Sequence, residues 1–346
     1  MKKPRLFYLD LIRAVALVCI LIIHFNASVT GYFTYPSRLF GSILPGGIYL
    51  GDFGSSLFFM VSGAALLYTA KDPFAVRAFY RKRAAAVYPM FWLAWLICFP
   101  IRFLTKPGLY AGAHTITLVL TVLGLDNFAV AGGWISQDFA CVGEWFLGSI
   151  LFLYLVFPFL KKGLAHRPAL TWAAALAVCL PVHLLGWDGH LLGVHLLEFL
   201  FGMTFVRLRR IRPWLAFAIL AWPALLPLKG ILDAKLLCAL VSAAVFIALC
   251  GISGRLENAA TRSVCRLLTK YAYAVFLVHH VLILKMVEGF DLSVLSRRDT
   301  VLLFGIYLLA VAAASWALFR LDGAVRRGIG DFAKTLRPQA EPPARS

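Results

Sequence analysis

Apolar residues along this chain collect in long runs, and short polar stretches rich in Lys and Arg separate them. The runs fall near 9–27, 48–68, 85–104, 144–160, 169–186, 190–206, 214–229, 235–252, 271–288 and 300–320. A helix that crosses a bilayer needs about 20 apolar residues. The runs therefore predict ten spans, some of them short. A further run at 114–125 is too short to cross by the same measure; it is expected to re-enter, to lie at the interface, or to form a short eleventh span. No polar stretch is long enough for a separate soluble domain. The expected fold is all-α and polytopic: a single transmembrane domain over residues 1–330 and a polar, disordered tail over 331–346, which holds Pro338, Pro342 and Pro343. Met1-Lys2-Lys3-Pro4-Arg5 before the first run resembles a signal peptide. The run contains Arg13, however, and no small-x-small site follows it, so it is read as an uncleaved span.

Composition agrees with the pattern. The chain is 61% hydrophobic and 14% charged, against about 25% charged in a soluble domain. The net charge of +18 raises the question of nucleic acid, but the cations sit in short clusters between apolar runs and form no basic face or known motif. Their distribution instead sets an orientation. With both termini inside, twenty-five of the thirty-four Lys and Arg fall on the cytoplasmic side and seven on the outer side, while Arg13 and Lys285 lie within spans. That is the bias of a membrane protein, and eleven spans would destroy it after the third helix. The expected place is the cell (cytoplasmic) membrane, multi-pass, with the lipid bilayer as a standing partner and no nucleic acid. None of the seven Cys has metal-ligand spacing, and most lie in apolar runs as small hydrophobes. No disulfide and no metal site are expected.

Ionisable groups within spans are costly and so carry information. Arg13 and His24 are eleven residues apart in the first run. At about 100° per residue this is three turns plus about 20°, which puts both on one helix face, about 16 Å apart along the axis. Asp10, three residues before Arg13, is placed to pair with it. Two readings fit. Arg13 snorkels to the inner interface while His24 sits in the outer headgroup zone, or the two line a polar stripe along a cavity. The shared face favours the stripe.

The opening Tyr8-Leu9-Asp10-Leu11-Ile12-Arg13-Ala14, followed by His24-Phe25, resembles the start of the acyltransferase 3 family, whose hallmark is Arg, ten residues, His. Further phrases follow in the family's order: Leu57-Phe58-Phe59-Met60-Val61-Ser62-Gly63, then Phe79-Tyr80-Arg81-Lys82-Arg83 with Tyr88-Pro89-Met90-Phe91-Trp92. Gly143-Glu144-Trp145-Phe146-Leu147-Gly148 with Tyr154 and Pro158 is similar to its fourth-span signature, and Tyr271 to His279 to a late span ending in Leu-Val-His. The resemblance covers residues 5 to about 325. The chain departs from the family at Ser56, where many members have Asp, at Ala86, where many have a second Arg, and at Gly148 and Ile150, where many have Ser and an acidic residue. Glu144 is a candidate to take over the acidic role.

The resemblance implies transfer of an acyl group, most often acetyl, from acyl-CoA to a sugar hydroxyl. Acyl-CoA is then a co-substrate with no permanently bound cofactor, and the second partner is a carbohydrate acceptor, a surface polysaccharide or its lipid-linked precursor. Such transfer needs a base for the hydroxyl proton, a group to orient it, and cations for the CoA phosphates. His24 and Glu144 are the expected catalytic pair, at similar depth near the outer face. Arg13, Arg81 and Arg83 are the expected CoA-binding cations toward the cytoplasm. Asp10, Trp145 and His279 are expected to support them. His24 as base and His24 as covalent acyl acceptor both remain open. Of His279 and His280, one is expected to face the bundle and the other to be hydrogen-bonded in packing. His114, His166, His183, His190 and His195 read as interfacial, and Glu198 as a packing partner. Two other classes fit a ten-span bundle with polar groups. A transporter or flippase is one, although no inverted repeat is visible. A non-catalytic relative in a polysaccharide synthesis complex is the other, kept open by Ser56 and Ala86.

Overall fold

The computed structural model describes residues 3–29, 41–106, 108–185, 187, 190, 191, 193–208, 217, 218, 221, 224, 226–228, 230–288 and 291–335, without the side chains of residues 144, 226, 293, 330 and 332–335. The described chain is almost wholly helical. This follows from the solvent: inside a bilayer each backbone N–H and C=O must be satisfied within the protein, and a helix does so locally. The sole strands among the described residues are a two-residue antiparallel pair, Ile43–Leu44 with Ile48–Tyr49, at the entry to the second long helix.

The helices are α1 (Phe7–Val29), α2 (Leu50–Thr69), α3 (Val76–Thr105), α4 (Leu118–Leu123), α5 (Asp126–Ala131), α6 (Glu144–His166), α7 (Pro168–Leu184), α8 (Leu196–Leu208), α9 (Ala234–Leu256), α10 (Ala259–Val287) and α11 (Arg297–Thr335). Seven of them, α1, α2, α3, α6, α9, α10 and α11, are long and apolar enough to cross a membrane, so the protein is a multi-pass membrane protein. They match seven of the ten expected spans. The fifth expected span is α7, a shorter apolar helix, and the sixth is the 13-residue α8. The seventh, 214–229, lies largely outside the described residues. The run at 114–125 ends in the six-residue α4, which cannot cross. Two expected boundaries move. The last helix continues to Thr335, into the stretch assigned to a disordered tail; residues 336–346 lie outside the description. The third and ninth spans begin earlier than their apolar runs, because α3 and α10 each prolong a basic, water-facing turn into the membrane.

Polar contacts between helix ends fix an alternating arrangement. At one end of the bundle Tyr68 donates to the Pro4 carbonyl (2.8 Å), Lys161 pairs with Asp72 (2.6 Å), Arg207 donates to the Leu164 carbonyl, and Arg326 to that of Ala85. At the other end Lys106 pairs with Glu288 (2.7 Å), Lys285 donates to Thr105 (3.0 Å), and His183 meets Asp233 (2.7 Å). Lys3 and Arg326 thus share an end. Arg207 and Asp233, which bracket the seventh expected span, lie at opposite ends.

The tightest helix pair is α2 against α8. A Cβ on Gly63 would fall on the Phe199 carbonyl, and one on Gly202 on that of Met60. Two glycines facing each other let the backbones touch, which is how membrane helices associate without a hydrophobic driving force. Around this pair an apolar core joins α1, α2, α8 and α9, and a second joins α3, α6, α7 and α8 to α10 and α11. None of the seven cysteines is in a disulfide; six are buried and Cys98 is half-buried.

Candidate active site

The two cores leave a gap where α1, α2, α3, α6 and α10 converge, a cavity of about 280 Å³. From α1 it takes Arg13, Leu17, Ile20 and His24, a stripe at spacings of four, three and four residues that is one face of a helix. Arg13 and His24 therefore line one cavity and lie about 16 Å apart along it.

At the Arg13 end, Asp10 is buried and is held mainly by Arg5, whose Nη2 is 2.9 Å from Oδ1. Arg13 keeps a looser contact to the same oxygen at 3.6 Å. The expected Asp10–Arg13 pair exists, but Arg5 supplies most of the neutralisation. The Arg13 guanidinium keeps hydrogen-bonding capacity on the cavity side. Tyr154, from α6, lines the cavity beside it, and the Arg83 guanidinium sits 5.7 Å from the Tyr154 ring. Arg83 Nε is buried with no partner among the described residues. Arg83 is thus brought to the Arg13 end through Tyr154, whereas Arg81 and Lys82 are exposed and stand apart from the lining. Ala86 lines the cavity too, so the family's second Arg would have pointed here.

At the other end His24 meets two imidazoles. The His279 ring is 4.7 Å away, edge to face, and the His280 ring 5.0 Å away. His279 is 2% exposed. Its Nδ1 lies 3.0 Å from the Val275 carbonyl and 2.8 Å from that of Phe276. Carbonyls only accept, so Nδ1 holds the proton of the neutral ring and Nε2 carries the lone pair. That Nε2 has no hydrogen-bond partner among the described residues. The expected division of labour between His279 and His280 is corrected: both pack on His24, and His279 is in addition the one hydrogen-bonded to backbone.

Trp145 and Phe146, in the first turn of α6, line the cavity. Gly143 precedes them at φ 84°, a left-handed conformation that an L side chain resists, and this turn aims the helix start at the site. Glu144 begins α6 beside Trp145; its side chain lies outside the described residues.

Behind Trp145 the structure builds a polar cluster that the sequence did not announce. His195, read as interfacial, and Glu198, read as packing, are each 5% exposed. His195 Nδ1 is 3.2 Å from Glu198 Oε1, and the Ser56 hydroxyl donates to the same oxygen at 3.2 Å. The His195 ring stacks on Phe59 at 4.1 Å. The position where the family often has Asp thus holds a hydroxyl bonded to a carboxylate from α8. On α10, Thr269, Tyr273 and Phe276 line the cavity and His280 touches His24. Their spacing of four, three and four was the signal available in the sequence.

No solved structure matches the chain. An acyltransferase named MdmB, from Streptomyces mycarofaciens, is 30% identical over 143 residues, 38% of this chain. The match spans about a third of that relative's length, 35%. The family model Acyl_transf_3, described as an acyltransferase domain, matches residues 6–320. With nearly its whole length matched, and with the Arg and His of the hallmark lining one cavity, the chain belongs to the acyltransferase 3 family.

Proposed function

We propose that the protein is an integral membrane O-acyltransferase that moves an acyl group, acetyl by expectation, from acyl-CoA to a hydroxyl of a surface polysaccharide or of its lipid-linked precursor in the cell membrane. The observation that carries this reading is the single cavity with Arg13 at one end and His24, against His279 and His280, at the other. Its volume suits a thin pantetheine arm and leaves the nucleotide outside, near Arg83 and the exposed Arg81. Arg is the side chain best shaped for phosphate. The cytoplasmic side, assigned from the charge bias, is where CoA is found. The donor then enters from inside and the acceptor from outside, and the acyl group passes between them at His24.

In the direct route His24 accepts the acceptor's hydroxyl proton, the oxygen attacks the thioester carbonyl, the new C–O bond forms and the C–S bond breaks. The thiolate leaves and takes up a proton as CoA–SH. In the two-step route the His24 nitrogen carries the acyl group between donor and acceptor. His279 serves either route as a positioning residue, because its fixed tautomer offers a lone pair beside His24.

Purified protein given acetyl-CoA and acceptor should release free CoA, and His24→Ala should not. Movement of acceptor across a vesicle membrane with no CoA release would replace this reading with a carrier.

A further inference from the structure

A second cavity, of about 350 Å³, runs between α3, α10 and α11. Ile97, Ile101, Leu282, Leu318 and Leu321 make its wall hydrocarbon, and Ala317 on α11 leaves it open. Ile97, Ile101 and Leu321 are 43%, 49% and 42% exposed, so the trough faces the bilayer rather than the bundle. Along α3 it runs from Ala94 to Arg102, about 12 Å of helix. Arg102 and Lys285 close one end and also line an adjoining cavity of about 180 Å³ with Lys106 and Glu288. The two form one groove with an apolar body and a cationic head.

The charges at the head do not cancel. Glu288 is shared by Lys106 at 2.7 Å and Lys285 at 2.8 Å, and these two ammonium groups hold its carboxyl down to about 2. Arg102 has no carboxylate partner among the described residues. Three cations and one carboxylate leave two uncompensated positive charges at the mouth of the apolar trough. An anionic group at this point would neutralise them. The groove also leads to the candidate active site. His279 and His280 follow Val278 of its wall on α10, and the His280 ring is 5.0 Å from His24.

We propose that this groove seats a single-chain lipid diphosphate that carries the sugar acceptor. The phosphates lie on Arg102, Lys106 and Lys285, and the chain lies along Ile97, Ile101 and Leu318. Two surplus positive charges match a diphosphate, and the narrow trough takes one chain where a glycerophospholipid has two. The inference rests on the acyltransferase reading and narrows its acceptor to a lipid-linked sugar.

Binding of farnesyl diphosphate to the full chain in nanodiscs of phosphatidylcholine tests it. Wild type should bind farnesyl diphosphate at least about tenfold more tightly than farnesol, the worth of a charge-assisted contact. Arg102→Gln should weaken it by about tenfold or more. Ala317→Phe should exclude both ligands, and its melting temperature should be measured beside the wild type's. Equal binding by wild type and Arg102→Gln would overturn the proposal. So would equal binding of farnesol, or equal competition by phosphatidylglycerol, which would make the groove an ordinary annular lipid site. CoA release with a water-soluble sugar reads the enzyme separately. If that release survives while farnesyl diphosphate does not bind, the groove fails and the acyltransferase reading stands.

Discussion

His24 is placed by two neighbours rather than by one, and the roles of the three imidazoles separate under substitution. A positioned proton-transfer group is worth about 10²–10⁴ in rate, so His24→Ala should lower turnover by that factor, read as CoA release, with the protein still folded. His279→Gln should cost less in kcat and leave the KM for acyl-CoA unchanged, because His279 acts through His24. A KM change equal to the kcat change would instead make it a binding residue. At the other end, Arg13→Ala should weaken acyl-CoA binding by about tenfold or more, the usual worth of a charged hydrogen bond. Arg13→Lys should recover part of it, since it keeps charge and loses the planar fork. An acyl-CoA affinity unchanged in Arg13→Ala would return Arg13 to plain snorkelling. At this scale the sequence was legible where helical spacing alone decides. Arg13 and His24 needed no partner helix to be placed on one face. His195 with Glu198, and His280 with His24, needed the packing of α8 and α10, and no local pattern encodes that.

The elements repeat the lesson in different terms. Long apolar runs were legible because a bilayer demands them. Helix starts were less so, since α3 and α10 extend through basic turns where the apolar signal ends and helix propensity continues. The α2–α8 contact depends on Gly63 and Gly202, and two isolated glycines in apolar runs gave no sign of facing each other. Gly202→Leu should destabilise the protein by about 3 kcal/mol or more, since the side chain would force the helices apart; a melting temperature equal to wild type would show the helices free to separate. The link between α3 and α6 carries its own titration. Asp126, at the start of α5, is buried and near Asp138, and burial with that second carboxylate raises its pKa to about 6. A carboxyl raised in the folded state stabilises at low pH, and this contribution is lost as pH rises from its ordinary value near 4 through about 6. Asp126→Asn should therefore stabilise this link at pH 8 by about 2 kcal/mol and change little at pH 3.5. Amide exchange over 115–131 with the opposite pH trend would reject the assignment.

For the whole molecule, the helix-end contacts and the charge bias converge on one sidedness. Lys3 and Arg326 share an end with the basic starts of α3 and α10, the end that the bias assigns to the cytoplasm. A reporter fused after Arg337 should be active in its cytoplasmic form, and activity on the outer face would reverse the entry side proposed for acyl-CoA. Which sugar is accepted was never legible, because specificity lies in the shape of a cavity assembled from five helices.

The shielding of six of the seven native thiols makes the wild-type chain its own background for chemistry at the surface. Six cysteines are shielded by protein, and Cys98, half-covered, lies beside the lipid-facing groove. A water-soluble maleimide should find almost nothing to modify in intact membranes. Single cysteines placed at Thr115 or Asn258 would then stand out against silence, one from each side, and map the orientation of the chain without first removing any of its own sulfur.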